Sequence, residues 1–128
     1  MRLFIALGFL FFLNLACTSD SQTTQNSPEE AAKGLFGALK SEDFETAKLY
    51  GTKSTQDALQ EFATYLKMSN AEEQQEAIAP YKMDVSKVVC TEKDGTTICK
   101  LYCAPDLEVE LMMVQQDDKW FAQMDFPY

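Results

Sequence analysis

Four cysteines, six methionines and no histidine define the side-chain chemistry open to this 128-residue chain. Without imidazole there is no Ser-His or Cys-His nucleophile pair, no histidine acid or base, and no His-containing zinc site. The only arginine is Arg2, at the head of an apolar leader, so a processed chain has no guanidinium to clamp a carboxylate or phosphate. Thiol, thioether and carboxylate groups remain. Thiolate and thioether ligands together select soft metals. Met112 and Met113, however, must point to opposite sides of a strand, and no C-x-x-C or Met-x-x-Met cluster gathers ligands, so neither a metal nor a cofactor is expected.

Acidic side chains outnumber basic ones by twenty to eleven, a net charge of −9. That sign opposes counterion-release binding to a phosphate backbone, so no nucleic acid partner is expected. Glu72, Glu73 and Glu76 read as a polar helical surface, Asp117-Asp118 as a turn, and Glu108 and Glu110 as the outer face of a strand. An acid–base enzyme would need a carboxylate in an apolar cavity with a raised pKa. Asp84 and Asp125 both alternate outward in the strand register, so a non-catalytic protein is expected.

Helices come first along the chain. Ser27-Pro28-Glu29-Glu30 supplies a capping box with proline at the first helical position, and Ala32, Leu35, Phe36 and Leu39 make one apolar face ending near Lys40. Gly34 and Gly37 on this helix are expected to permit close packing. Ser41 or Asp43 caps a short second helix with Phe44, Ala47, Leu49 and Tyr50, ended by Gly51. Ser54 and Asp57 repeat the box spacing ahead of a third, carrying Ala58, Leu59, Phe62, Tyr65 and Leu66. Ser69 to Ala79 has good helix formers and few apolar anchors, so it is either a solvated fourth helix or a loop stopped by Pro80.

Alternation then takes over. Met83–Glu92 and Thr96–Cys103 flank Asp94-Gly95, a two-residue hairpin turn, which sets Cys90 opposite Cys99, Val88 opposite Leu101 and Ser86 opposite Cys103. Val85, Lys87, Val89 and Thr91, with Ile98, Lys100 and Tyr102, form the other, mostly wet face. Leu107–Gln116 and Lys119–Phe126 make a second hairpin about Asp117-Asp118, with Val109, Leu111, Met113, Trp120, Ala122, Met124 and Phe126 inward. The expected fold class is α+β: N-terminal helices packed on a curved four-stranded antiparallel sheet.

Arg2 followed by the uncharged run Leu3 to Leu13 has the form of a signal-peptide h-region, too short for a bilayer-spanning helix. Ala16 directly before Cys17 resembles the lipobox of bacterial lipoproteins, with Asn14 where that motif usually has Leu. The resemblance implies a signal peptide over residues 1–16, cleavage before Cys17 and acylation of its thiol. The bilayer is then a partner through acylated Cys17, since two or more acyl chains hold a protein stably. Thr18 in place of the aspartate that signals inner-membrane retention in enterobacteria favours the outer membrane if the cell is Gram-negative. Residues 17–26 hold no large apolar side chain and read as a disordered tether, leaving 27–128 as the domain. Export implies oxidising surroundings, in which Cys90 and Cys99 are paired by register for a disulfide. Cys103 lies about 13 Å along the strand from Cys99 and reads as a small buried hydrophobe.

Three helices ahead of a four-stranded meander resemble the cone-shaped fold of ketosteroid isomerase and nuclear transport factor two. Pro28-Glu29-Glu30, Phe36, Ala38, Leu39, Lys40, Ser41-Glu42-Asp43, Phe44 and Ala47, with the closing Asp118-Lys119-Trp120, are similar to a lumazine-binding-like domain of unknown function found in bacterial lipoproteins. This resemblance spans residues 28–126. The expected function is an exported, lipid-anchored envelope protein that binds a small apolar ligand or an envelope protein. Phe36, Phe62, Tyr65, Val88, Leu101, Met113 and Trp120 are its candidate pocket lining. The alternative is an isomerase or dehydratase of the ketosteroid isomerase type, and a pure interaction module would instead expose an apolar patch on the Val85, Val89, Ile98, Tyr102 face.

Overall fold

In the computed structural model, which describes residues 24–127, the first helix begins at its capping signal. The leader 1–16, Cys17 and the tether up to residue 23 lie outside the described residues. Helix α1 spans Pro28–Lys40; the Ser27 hydroxyl accepts from the Glu30 N–H at 3.2 Å, and Glu29 and Glu30 meet the positive end of the helix dipole. Its buried face comprises Ala31, Ala32, Leu35, Phe36, Ala38 and Leu39.

Asp43, not Ser41, caps α2 (Phe44–Leu49), and Tyr50 is the residue that ends it. The Thr46 hydroxyl donates to the Asp43 carboxylate at 2.6 Å and the Thr46 N–H at 3.1 Å, and these bonds hold the Asp43 pKa below its ordinary value. Helix α3 (Lys53–Met68) starts one cap earlier than expected. Thr52 is its N-cap in place of Ser54, because the Thr52 hydroxyl is also anchored across the molecule by donating to Gln123 Oε1 at 2.6 Å. The segment left open between helix and loop is a helix, α4 (Ala71–Ile78), nucleated by a reciprocal Asn70/Glu73 capping box. A 3-10 turn, Ala79–Tyr81, contains Pro80 and leads to the sheet.

The four strands, β1 (Val85–Lys93), β2 (Thr96–Cys103), β3 (Leu107–Gln116) and β4 (Lys119–Gln123), lie in the order β1-β2-β3-β4, every pair antiparallel. Asp94 and Gly95 have φ of 54° and 76°, the doubly left-handed turn that matches strand twist; Asp117 and Asp118, at 50° and 64°, repeat it without glycine. The expected pairs Cys90 with Cys99 and Val88 with Leu101 are present.

The first hairpin departs from expectation at its far end. A bulge between Val85 and Lys87 leaves Ser86 unpaired, its hydroxyl donating to the Tyr102 carbonyl at 3.0 Å, so that Val85 and not Ser86 faces Cys103. The extra residue turns Val85 from the wet face onto the core. Likewise β4 stops at Gln123 instead of Phe126. Phe126 is buried all the same, 5.6 Å from the Phe62 ring and 5.1 Å from Tyr81.

Phe62 is the hub between the layers, edge-on to Phe44 at 5.9 Å and to Tyr81 at 5.4 Å. The helices cover one face of the sheet, which does not close on itself, giving an α+β arrangement. Among the described residues no helix is long and apolar enough to cross a membrane.

The outer edge of β4 is sealed by chain from elsewhere. Gly51 bridges Ala122 in parallel, with the Ala122 N–H donating to the Tyr50 carbonyl and the Thr52 N–H to the Ala122 carbonyl, at 2.7 and 3.0 Å. Further along, Gln25 accepts from the Trp120 N–H at 3.0 Å, while its Nε2 donates to the Trp120 and Leu49 carbonyls at 2.8 and 3.1 Å. Gln25, two residues ahead of the boundary expected at residue 27, is buried.

Candidate functional site

The most constrained chemistry lies at the centre of the first hairpin. Register places Cys90 opposite Cys99, and the two form a disulfide with Cα atoms 3.9 Å apart, at a non-hydrogen-bonded pair of the ladder. Cys103, four residues along the same face, is a buried free thiol whose pKa is raised by burial. Burial therefore disfavours the reactive thiolate form. Among the described residues, no three of the His, Cys, Asp and Glu side chains gather as a metal site.

The carboxylates have other engagements. Asp84 pairs with Lys40 at the surface and Asp125 is exposed, so neither lies in an apolar cavity. Glu108 and Glu110 both approach Lys100, at 3.7 and 3.8 Å, and Glu73 serves as a helix cap. Glu72 and Glu76 are exposed. Tyr81, whose pKa burial raises, packs on Phe62 and Phe126 inside the domain.

The seven candidate pocket residues are distributed through the molecule. Phe36, Phe62, Leu101 and Met113 are core side chains, whereas Tyr65, Val88 and Trp120 are half-buried around it. Met113 and Trp120 border a concavity of about 490 Å³ between the two hairpin tips, together with Glu92, Gly95 and Thr97. It exists because pairing of β2 with β3 ends at Thr97 opposite Met113, three residues before β3 does. Tyr65 borders different concavities on α3 and beside α4, and Phe36 another next to Met83 and Val85. One of the seven, Phe62, packs its ring against Tyr81 and Phe126 between the helices and the sheet.

Two further surfaces lie on the sheet, one on its outer face and one at its edge. The outer face of the sheet exposes Val89, Ile98 and Met112 at 37%, 38% and 50%, with Tyr102 and Lys100 beside them. Val85, expected in that patch, is not in it because of the bulge. The other surface is the edge of β1, an edge that the expected meander implies and the strand order β1-β2-β3-β4 places there. No protein-family model, curated protein or solved structure matches this chain.

Proposed function

We propose that the chain is an exported, non-catalytic recognition domain held to a bilayer by acyl chains on Cys17. In this reading residues 1–16 are a removed leader, and the polar stretch that follows tethers the domain to the membrane, the outer membrane in a Gram-negative cell. The carrying observation is the Cys90–Cys99 disulfide, since structural disulfides persist where proteins are exported and are rare in the cytosol. Helices packed on one face of an antiparallel four-stranded meander support placing it with the cone-shaped ketosteroid isomerase-like and lumazine-binding-like domains.

A protein partner is favoured over a small apolar ligand. Aromatic side chains fill the space between helices and sheet, while apolar groups and a strand edge are offered outward. The test of anchoring is fractionation of the full chain and its Cys17→Ser variant, with intact mass of each. The parent is expected in the membrane fraction with the mass of a chain cleaved before Cys17 plus acyl groups, and the variant outside it. A parent of uncleaved, unacylated mass, or a variant that still sediments with membranes, overturns the reading.

A further inference from the structure

We infer that the free edge of β1 takes up an acidic, extended segment of a partner protein as a fifth strand. The inference rests on the reading of the domain as a recognition module and names the chemistry of its partner. With a two-residue turn at Asp94-Gly95, Lys87, Val89, Thr91 and Lys93 exchange main-chain bonds with β2. The N–H and C=O groups of Val88, Cys90 and Glu92 therefore point away from the sheet.

Among the described residues no turn, loop or cap supplies these three with a main-chain partner. The opposite edge is treated differently, with Trp120 bonded to Gln25, Ala122 to Tyr50 and Thr52, and the Met124 N–H to the Thr55 hydroxyl. One edge is sealed and the other is kept open.

An open edge invites indiscriminate pairing unless charge guards it. On β1 the guards are Lys87 and Lys93, exposed on the same face as Val89 and flanking it. In a chain of net charge −9 neither is neutralised: among the described residues the ion pairs involve other lysines, and Lys87 lies only over the Tyr102 ring, 5.8 Å from its centroid. A second copy of the chain paired antiparallel about Cys90 would set Lys87 of one against Lys93 of the other, like charge on like. A strand with carboxylates at those two places and an apolar side chain opposite Val89 turns the same guards into attractive contacts. Glu92, on the inward face of the edge, rejects an acid at its own position.

The edge is also stiff. The Cys90–Cys99 bond pins β1 to β2 at the middle of the three free residues, so an added strand meets a fixed template and does not peel β1 away.

The test uses the full chain in mild detergent, isotope-labelled for amide exchange. Its probes are the peptides Glu-Thr-Thr-Val-Val-Thr-Glu and Lys-Thr-Thr-Val-Val-Thr-Lys, which share apolar content and differ in charge. The acidic peptide is expected to bind saturably and to slow exchange at Val88, Cys90 and Glu92 by about tenfold or more, leaving Lys87, Val89 and Thr91 unchanged. Lys87→Glu combined with Lys93→Glu, both at exposed positions, is expected to transfer binding to the basic peptide. Equal binding of both peptides, no saturable binding, or protection away from β1 overturns the inference. Protection of the same three amides by self-association without peptide overturns the choice of partner in favour of a second copy. Cys17→Ser leaves this edge intact, so a failed anchor and a failed edge are read separately.

Discussion

Cys103 shows how position decides what a thiol can do. It shares a strand face with Cys99, and the strand rise alone keeps the two sulfurs apart, so among the described residues the disulfide is Cys90–Cys99 and Cys103 is left as a thiol. Burial then raises its pKa, which suppresses the reactive thiolate. Alkylation of the native, non-reduced protein near neutral pH is therefore expected to leave Cys103 unmodified, and unfolding without reductant to expose it as the one alkylatable thiol of Cys90, Cys99 and Cys103. Mass spectrometry of the digested product checks this; rapid native labelling of Cys103 would contradict its burial. The pairing of Cys90 with Cys99 was legible from an Asp-Gly turn because a two-residue loop fixes every partner behind it. Ser86 was misplaced by the same counting, since a bulge is set by how the strand end must bend and leaves no mark in an alternating pattern.

Helix α1 contains two glycines that a sequence cannot tell apart and the packing separates cleanly. A Cβ on Gly34 would lie far inside van der Waals contact with the Tyr50 ring, whereas one on Gly37 meets nothing within 4 Å. Only Gly34 is needed for the close approach of α1 to the chain that follows α2. Gly34→Ala is expected to destabilise the protein by about 1–3 kcal/mol through overpacking, and Gly37→Ala to stabilise it by about 0.5–1 kcal/mol through helix propensity. Urea midpoints of the two variants against the parent measure both, and opposite signs are the required outcome. Helix starts were well marked where the cap is local, as at Ser27 and Asp43. The start of α3 was not, because Thr52 is held as a cap partly by Gln123, a partner 71 residues away.

At the scale of the whole molecule the two edges of the sheet differ, one closed by the domain's own chain and the other, among the described residues, left open. Gln25 is part of the closure: its buried amide joins β4 to the end of α2 through Trp120 and Leu49. Gln25→Ala removes both donated bonds and strands two carbonyls, at an expected cost of about 1–3 kcal/mol. Chemical denaturation of the variant checks this, and an unchanged midpoint would place Gln25 outside the cooperative unit. What the sequence determined by itself was everything carried by short-range pattern: the helical stripes, the four alternating strands, both turns, the register about Asp94-Gly95 and the pairing of two cysteines. Those features depend on residues within a few positions of each other, where dihedral preference and side-chain period act directly. Only the tertiary structure decided that a glutamine from a polar tract would seal an edge, that Phe126 would leave its strand to fill the core, and which strand edge would stay open. Such outcomes are settled by competition among distant groups for the same buried space and the same unpaired backbone, a contest that no local pattern records.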